Sequence, residues 1–309
     1  MRVLVTGSNG FVGKHACDAL RARGHEVIGA GFAPSATDTS TLALDVRDFV
    51  AVTDVVAKAR PDAVLHLAAI AFVPQAKDDP SGAFAINAQG TLHVLAALAA
   101  SAKDARCVVV SSAEVYGRVS EAEMPLSERR APMPVTVYGA SKAAAEHLAR
   151  AYAADGLDVR VLRPFNHVGP GQDDRFVVAS FARQVAQLER TGGGVVLHGN
   201  LSAVRDFLDV RDVANVYALA LEAERGVLAP GVPFNVCSGL GRTIESIVRA
   251  FAERARAPVE LRLDPSRLRA VDVPTFVGAP DALRTALRWE PAFAWGGTIE
   301  DVLDDARSR

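Results

Sequence analysis

The stretch RVLVTGSNGFVG, residues 2 to 13, decides the fold of this chain of 309 residues. Its first part, Arg2-Val3-Leu4-Val5, is typical of a buried strand. Three glycines follow at the spacing G-x-x-G-x-x-G and open an apolar helix, which we predict to end near Arg23. A strand, a glycine turn and a helix in this order are typical of a dinucleotide-binding βαβ unit.

The three glycines have different roles in such a turn. Gly7 allows the tight turn, Gly10 lets the backbone approach a pyrophosphate, and Gly13 permits close packing of helix on strand. The helix N-terminus offers unpaired N–H groups to the same anion. A glycine turn without a ligand is the alternative. We predict that this segment contacts a cofactor through Gly7, Asn9, Gly10, Phe11, Val12 and Gly13.

A second motif can place a phenol and an ammonium on one helix face. Tyr138 and Lys142 are four residues apart, and residues i and i+4 of a helix point the same way. Ser112 and Glu114 follow an upstream apolar strand and can reach the same site. The pKa of a free tyrosine is near 10. It must be lowered by about three units, which corresponds to roughly 4 kcal/mol, for the phenol to exchange protons near neutral pH. A cation about 4 Å away supplies roughly that energy, so Lys142 is predicted to lower the pKa of Tyr138; a surface tyrosine beside a solvated lysine is the alternative.

Short β-branched runs alternate with alanine-rich helical stretches along the first half of the chain. Strands are predicted at 27–30, 42–44, 63–67, 107–111 and 159–162, and helices at 92–102, 143–154 and 175–190. This alternation predicts a right-handed parallel sheet. The expected fold class is α/β, a Rossmann-type doubly wound parallel sheet with a smaller, discontinuous C-terminal substrate-binding lobe.

The chain is expected to pass between the sheet and the lobe more than once. Residues 204–213 are predicted to form a strand and a helix that return to the main sheet, and 234–236 to form a further return. The predicted NAD(P)-binding domain therefore comprises 1–167 plus 204–236. The predicted lobe comprises 168–203 plus 237–309.

Composition excludes several classes of protein. Half of the residues are apolar and the net charge is -2, with both signs interspersed, so neither a nucleic-acid nor a membrane surface is expected. Cys17, Cys107 and Cys237 are isolated in apolar patterns, and no metal site is predicted. No apolar run is expected to reach the length of a membrane span and no leader precedes the first strand, so the predicted location is cytoplasmic.

Together these motifs resemble the extended short-chain dehydrogenase/reductase family of sugar-nucleotide epimerases, dehydratases and reductases. The segments 66–69, 86–91 and 163–167 match further landmarks of that family in register. The resemblance implies that Ser112, Tyr138 and Lys142 are catalytic. It implies further cofactor contacts at Asp45, Val46, Leu67, Ala68, Ala69, Asn87, Tyr138, Lys142, Arg163 and Phe165. The cofactor is NADH or NADPH, since neither an acidic residue nor an arginine is evident at the end of strand two.

The C-terminal motifs narrow the substrate by resemblance. Segments 163–172, 199–213 and 264–274 are similar to those of GDP-4-keto-6-deoxy-D-mannose reductases. This implies a GDP-linked keto sugar as partner and a product of the GDP-rhamnose or GDP-6-deoxytalose type. The implied substrate contacts are Asn166, Val177, Arg183, Asn200, Arg205 and Arg269. Arg205 and Arg269 are suited to bind one pyrophosphate bidentately, and surface ion pairs with Asp206 or Asp272 are the alternative.

Other functions stay open at this point. Glu114 stands two residues after the catalytic hydroxyl, as in the dehydratases, and so is included among the catalytic candidates. A GDP-mannose 4,6-dehydratase or a nucleotide-sugar epimerase is therefore an alternative. A non-catalytic dinucleotide-sensing protein is an alternative of a different class. Helices around 92–99 and 143–152 have apolar faces suited to a four-helix contact, so a homodimer is predicted.

Overall fold

The computed structural model describes residues 1–33, 41–268 and 273–309. The strands are β1 (Arg2–Thr6), β2 (Glu26–Gly31), β3 (Thr41–Ala43), β4 (Ala63–His66), β5 (Arg106–Val110), β6 (Asp158–Pro164), β7 (Asn166–Val168), β8 (Gly194–His198), β9 (Val204–Asp209), β10 (Pro233–Val236), β11 (Gly241–Thr243), β12 (Val259–Leu263) and β13 (Thr275–Phe276).

The helices alternate with these strands along most of the chain. They are α1 (Phe11–Ala22), α2 (Phe49–Ala59), α3 (Val73–Asp78), α4 (Pro80–Phe84), α5 (Gly90–Ser101), α6 (Val137–Ala154), α7 (Val177–Thr191), α8 (Val210–Glu222), α9 (Ile244–Arg254), α10 (Asp281–Leu287) and α11 (Trp295–Ser308). Short turns of other helical types are a π turn (Ala85–Gln89) and 3-10 turns (Ala113–Tyr116, Glu121–Glu123 and Pro265–Arg267).

The main sheet has seven parallel strands in the order β10-β6-β5-β4-β1-β2-β3. The chain moves outward from β1 to β2 and β3, and then crosses to β4 on the other side of β1. The strand order therefore reverses between β1 and β4. In open α/β sheets the crevice beyond the strand ends at such a reversal is where ligands bind.

Helices cover both faces of the main sheet, as the predicted doubly wound fold requires. α1 and α8 pack on one face, where the buried side chains include Leu20, Val213 and Tyr217. α2 and α5 pack on the other face, with Val56 and Leu98 in the core. The α/β fold class predicted from the sequence is confirmed.

A second region has its own core. β9 is the centre of a small sheet in which β7 and β13 pair with it in parallel and β11 pairs with it antiparallel. β8 and β12 form a separate parallel pair. α7, α9 and α11 supply most of the buried core, including Phe181, Phe251 and Leu303. The division of the chain into domains at the residues given above stays a prediction.

Two expectations about individual segments are wrong. The strand at 204–209 does not return to the main sheet: β10 occupies the edge beside β6, and β9 pairs within the small sheet. Only the following helix, α8, returns and packs on the main sheet. The helical run 80–101 is long and apolar enough to cross a membrane by length and composition, contrary to expectation, although half of its most apolar window is buried. Its core contacts with α2 and α6 account for that composition.

Candidate active site

The glycine turn follows β1 at the point where the strand order reverses. Gly7 has φ +72°, and a Cβ atom there would lie 2.8 Å from the Ala68 nitrogen. A Cβ atom on Gly13 would lie 2.2 Å from the Gly7 carbonyl oxygen. The turn and the first turn of α1 are thus packed backbone against backbone, and only glycine fits at these two positions.

The turn has the donors that an anionic dinucleotide needs. Gly10 is the N-cap of α1, and no side chain caps the helix, so the first N–H groups of α1 are available to a phosphate. The buried Ser8 hydroxyl has no hydrogen-bond partner within the described residues, which buried polar groups rarely tolerate. The uncapped N–H groups fit a bound pyrophosphate, whereas the Ser8 hydroxyl lies against β2, where a Cβ atom on Gly29 would be 2.8 Å from it. Ser8 was not among the predicted residues, because a serine inside a glycine turn is also common in turns without ligands.

The remaining predicted residues of the turn have mixed environments. The Asn9 amide donates to the Phe32 carbonyl at 3.0 Å and so ties the turn to the end of β2. Phe11 stacks on His167 with ring centroids 6.2 Å apart. Val12 is half-buried against α8 and the main sheet. The turn is therefore held at both of its flanks.

Within the described residues, one ion pair lies near the end of β2, where the adenosine of a dinucleotide would lie. Asp45 accepts a bidentate contact from Arg47, with 2.6 Å between Asp45 Oδ2 and Arg47 Nη2, and the Arg47 guanidinium lies 5.8 Å from the Phe32 ring centroid. The Val46 side chain is buried in the core. Asp38, the nearest charged residue after this strand in the sequence, lies outside the described residues. The geometry favours neither coenzyme.

The predicted catalytic residues come together at the carboxyl ends of β4 and β5. Ser112 and Tyr138 are each 8% exposed, and their hydroxyl groups are hydrogen-bonded to each other. The Lys142 ammonium donates to the Val110 carbonyl at 2.8 Å. Glu114 is exposed, and its carboxylate is close enough to act on Tyr138. The structure thus assembles the four candidates that the sequence named.

The predicted effect of Lys142 on Tyr138 is wrong for this structure. Burial raises the pKa of Tyr138 to about 12; the hydrogen bond with Ser112 lowers it and the Glu114 carboxylate raises it further. Desolvation prevails because the phenolate would be buried in a largely apolar setting with Val73 and Ala76. The phenol is therefore protonated at neutral pH, as a proton donor must be.

Lys142 has the opposite shift. Burial lowers its pKa to about 8, and the carboxylate of Glu146 one helical turn away raises it. An ammonium is costly to bury without compensation, and here the Val110 carbonyl and Glu146 provide it. Lys142 is therefore still mostly cationic at neutral pH.

Arg163, predicted to contact the cofactor, lies beneath the catalytic helix. Its guanidinium donates to Glu146 through Nε at 2.8 Å and Nη2 at 2.7 Å, and it lies 4.8 Å from the ring centroid of Tyr116. Burial opposes its charge, but Glu146 raises the pKa of Arg163 above its usual value. Sequence reasoning missed Glu146, although Tyr138, Lys142 and Glu146 follow each other at intervals of four.

A buried chain of hydrogen bonds connects β1 to the catalytic helix. Thr6 Oγ1 is 2.7 Å from His66 Nδ1, and His66 Nε2 is 3.1 Å from Thr91 Oγ1. Since Thr91 donates to the Asn87 carbonyl at 2.7 Å, its oxygen must accept from His66, which assigns the Nε2–H tautomer. Burial lowers the pKa of His66 to about 3, and the charge of Lys142 adds to this.

Asn87, predicted to contact the cofactor, continues this chain toward Tyr138. Its amide accepts from the Ile70 nitrogen at 2.8 Å and donates to the Ser141 hydroxyl at 2.9 Å. Ser141 in turn donates to the Tyr138 carbonyl at 2.8 Å. Asn87 thus holds α6 against the loop after β4, which contains the half-buried residues Leu67, Ala68 and Ala69.

Phe165, predicted to contact the cofactor, and three of the predicted substrate contacts have different surroundings. Phe165 is buried and packs on Tyr116 and Phe276, with centroids 6.3 Å and 5.5 Å apart. Asn166 is exposed and donates to the Asp206 carbonyl at 3.2 Å. Val177 is the exposed first residue of α7. Arg183 is farther along α7, where it lines a surface groove together with Ala306 of α11 and the following Arg309.

The small sheet contains the predicted diphosphate contact. Arg205 on β9 stands directly opposite Arg242 on β11, and Arg242 lies 4.5 Å from the ring centroid of Trp295. Residues directly opposite in an antiparallel pair share a face, and like charges there repel each other unless an anion is present. Arg242 is a candidate that sequence reasoning missed, because its register with Arg205 is not visible in the sequence.

The other two predicted substrate contacts are Asn200 and Arg269. Asn200 is exposed and accepts from the Ser202 nitrogen at 3.0 Å. Arg269 and its alternative partner Asp272 lie outside the described residues. The Asp206 carboxylate accepts from the backbone of Ser238 and Gly239, at 2.9 Å each, rather than serving as a surface partner of Arg205.

No group of three or more His, Cys, Asp or Glu side chains in residues 1–33, 41–268 and 273–309 is arranged to hold a metal ion. The three cysteines are buried and unpaired. Burial raises the pKa of Cys17 to about 11 and of Cys107 to about 12, so both are thiols at neutral pH.

This chain is similar to known proteins over most of its length. The model of the NAD dependent epimerase/dehydratase family matches residues 3–237. The chain is 36% identical over 310 residues to the GDP-6-deoxy-D-mannose reductase of Pseudomonas aeruginosa, which covers 100% of this chain and 98% of the relative. It is 30% identical over 289 residues to the GDP-6-deoxy-D-talose 4-dehydrogenase of Aggregatibacter actinomycetemcomitans, which covers 93% and 91%.

A solved structure is similar over the same length. The structure of RMD from Pseudomonas aeruginosa complexed with NADPH has a TM-score of 0.87 and 35% identity. The match covers 100% of this chain and 98% of that chain. The likeness therefore extends through the main sheet and the second region alike.

Proposed function

Because the chain belongs to the NAD dependent epimerase/dehydratase family, we propose that it reduces the C4 keto group of a GDP-4-keto-6-deoxy sugar with NADPH or NADH. One observation carries the chemistry: the protonated phenol of Tyr138 is hydrogen-bonded to Ser112, with Lys142 one helical turn away. The similarity to two GDP-6-deoxy-sugar enzymes carries the choice of substrate.

The dinucleotide would be held by the glycine turn, where α1 begins without a side-chain cap and Gly7 packs against Ala68 of the loop after β4. When bound, the reduced coenzyme supplies the hydride for the carbonyl carbon. In this proposal Asn9 holds the glycine turn to the end of β2, which borders the adenosine. Asn87 holds the loop after β4, which borders the nicotinamide. The fit of the turn does not depend on which of the two coenzymes is used.

The protein's own residues handle the proton. Ser112 hydrogen-bonds the carbonyl oxygen, and Tyr138 donates its phenolic proton as negative charge develops on that oxygen. Because burial keeps Tyr138 protonated, the donor form is the resting form. The hydrogen bond between Ser112 and Tyr138 favours the phenolate that remains, since it lowers the pKa of Tyr138 against the effect of burial.

Arg205 and Arg242 support a diphosphate in the small sheet. The two arginines stand in register on one face; Arg242 donates to the backbone carbonyls of Phe207 and Leu240, and the nearby Asp206 carboxylate favours its charged form. A phosphate between them would accept hydrogen bonds from both guanidinium groups. This role is proposed for Arg242 beside the predicted residues Arg205 and Asn200.

The test is a single assay with two readouts. Purified protein is incubated with GDP-4-keto-6-deoxymannose and either NADPH or NADH. The loss of nicotinamide absorbance is recorded during the reaction, and the product is then identified by NMR. Oxidation of one coenzyme with formation of a single GDP-6-deoxyhexose supports the reductase and gives the configuration at C4. Absence of oxidation with both coenzymes contradicts it.

A dehydratase is the second candidate, favoured by one observation. The Glu114 carboxylate is close enough to Tyr138 to raise its pKa, as expected of a residue that removes water next to the same sugar. Loss of water from GDP-mannose, without net coenzyme consumption, would support this function. Hydride transfer to any keto-sugar nucleotide would dismiss the non-catalytic sensor.

A homodimer is proposed as the working assembly. The outer face of α5 carries the half-buried side chains of Leu92, Ala96 and Ala99, and Phe84 nearby is 42% exposed. Small apolar side chains along a helix suit close helix packing between two copies. Light scattering after size exclusion tests the dimer; a monomer at working concentration contradicts it. The cytoplasmic location stays a prediction.

A further inference from the structure

Three consecutive turns of α6 contact three consecutive residues at the end of β5. Tyr138 is hydrogen-bonded to Ser112, and Lys142 donates to the Val110 carbonyl. The third contact involves Glu146, which accepts a short hydrogen bond of 2.5 Å from the Ser111 hydroxyl. The helix positions 138, 142 and 146 thus meet the strand-end positions 112, 110 and 111.

The third contact is buried, and the Glu146 carboxylate accepts three hydrogen bonds. Glu146 and Arg163 are 7% and 2% exposed and share a bidentate pair at 2.7 Å and 2.8 Å. Bidentate pairs of this kind fix orientation as well as distance. Arg163 is anchored by β6, which neighbours β5 in the sheet. The carboxylate of Glu146 therefore fastens α6 to two adjacent strands.

We propose that Glu146, held by Arg163, is a positioning residue that fixes the register of α6 on the end of β5. Its buried carboxylate is bonded to Ser111 and Arg163. Its carboxylate acts through Lys142, whose charge it maintains, and through the backbone of α6, which places Tyr138 against Ser112. This inference rests on the proposed function for its kinetic consequence but not for its effect on Lys142.

Within the described residues, the charges of Lys142 and Glu146 interact directly, so the titration of Lys142 reports on Glu146. Glu146 lies on the same helix, and His66 approaches from β4. Arg163 lies behind Glu146 on β6 and contacts Tyr116. Removing the negative charge of Glu146 would leave the Arg163 cation unpaired and disfavour the charged form of Lys142. Removing Arg163 instead would leave the charge of Glu146 without its partner and would favour the charged form of Lys142.

The direct test is NMR titration of protein labelled with carbon-13 at the lysine side chain. The chain has five lysines, at positions 14, 58, 77, 103 and 142, so one resonance is assigned by Lys142→Met. In Glu146→Gln the Lys142 midpoint should fall by about one pH unit or more, and in Arg163→Met it should rise. The control is Glu245→Gln, which breaks an exposed i,i+4 pair with Arg249 and should leave Lys142 unchanged.

A kinetic test separates positioning from folding. The double variant Glu146→Leu with Arg163→Met replaces the pair by apolar side chains of similar volume, a change that is often neutral or stabilising. We expect a folded protein in which kcat falls between about 10- and 100-fold, because small misplacements of reacting groups cost that much, while KM changes less than twofold.

The outcomes distinguish this inference from the proposed function. A folded Glu146→Gln protein with an unchanged Lys142 midpoint overturns the inference, as does a folded double variant with full kcat. If the parent protein reduces no keto sugar but the two midpoints move in opposite directions, the proposed function fails and the role of Glu146 stands.

Discussion

At the scale of single residues, Tyr138 is the group on which the proposed chemistry depends. In Tyr138→Phe the ring still packs with Val73 and Ala76, but the proton that reaches the sugar oxygen is gone. We expect kcat to fall by roughly 100- to 10,000-fold, with NADPH binding nearly unchanged. Turnover with GDP-4-keto-6-deoxymannose and quenching of protein fluorescence by NADPH measure the two properties.

The control for this variant is on the same helix. Tyr152 is half-buried against the core and away from Ser112, so Tyr152→Phe should keep kcat within about twofold. If Tyr138→Phe retained the turnover of the parent, another group would have to supply the proton, and Glu114 would be examined next.

His66 makes stability depend on pH at the residue scale. Its pKa is lowered by burial to about 3 in the folded protein and is near 6.5 in an unfolded chain. Between these values the unfolded chain binds a proton that the folded protein does not, so stability rises with pH and is lost as pH falls from about 6.5 toward 3. The slope in this window is about 1.4 kcal/mol per pH unit.

His66→Gln should remove this slope, because glutamine does not titrate. The measurement is the urea midpoint at pH 7 and pH 5 for the parent and the variant. The difference between the two pH values should be smaller in His66→Gln than in the parent. The exposed His147 gives the control variant His147→Gln, which should keep the slope of the parent; equal slopes in parent and His66→Gln would contradict the assignment.

Residue identities were predicted better than residue environments. Tyr138, Lys142 and Ser112 are local motifs, and the structure brings them together. Arg163 was predicted to face a cofactor because its neighbours match a family landmark, but its partner Glu146 lies 17 residues upstream on another element. The raised pKa of Tyr138 depends on burial by segments distant in sequence, which no local pattern contains.

At the scale of secondary-structure elements, the glycine turn sets the position of α1. Gly13→Ala would place a methyl group 2.2 Å from the Gly7 carbonyl oxygen and 2.8 Å from Ser8. Because both contacts are with backbone atoms, which cannot move aside as a flexible side chain can, α1 must shift. We expect a loss of about 1 to 3 kcal/mol in unfolding free energy and weaker NADPH binding. Calorimetric Tm and fluorescence titration measure these effects.

Gly297 provides the matched control within a helix. A Cβ atom at Gly297 in α11 meets nothing within 4 Å, so Gly297→Ala should stabilise the protein by about 0.5 to 1 kcal/mol through helix propensity. A Gly13→Ala protein with the Tm and the NADPH affinity of the parent would show that α1 can shift without cost.

Element positions were predictable where they follow local periodicity. Strands β2, β4 and β5 lie within one residue of their predicted ends, because apolar runs bounded by turns define them. Pairing partners were less predictable. β9 joins a sheet whose other strands have two or three residues each, too few for a period to show in the sequence.

At the scale of the whole molecule, the main sheet and the second region meet at aromatic contacts beside the candidate active site. Phe72 in the loop after β4 contacts Phe176 at the start of α7, with centroids 5.5 Å apart and ring planes at 72°. Arg175 lies 5.0 Å from the Phe72 ring centroid. Phe72 precedes Val73, which packs beside Tyr138. The contact therefore lies beside Tyr138, where the proposed substrate would bind.

This position predicts an effect on substrate rather than on coenzyme. Phe72→Ala and Phe176→Ala should each raise the KM for the keto-sugar nucleotide several-fold and leave NADPH affinity nearly unchanged. The double variant should be less impaired than the sum of the two, since both remove one contact, with a coupling of about 0.5 to 1.5 kcal/mol. Phe293→Ala, which removes a ring beneath Arg211 on a different surface, is the control. Additive effects of the two substitutions would show that the rings act separately, and the aromatic contact would then be packing without a role in enclosing the sugar.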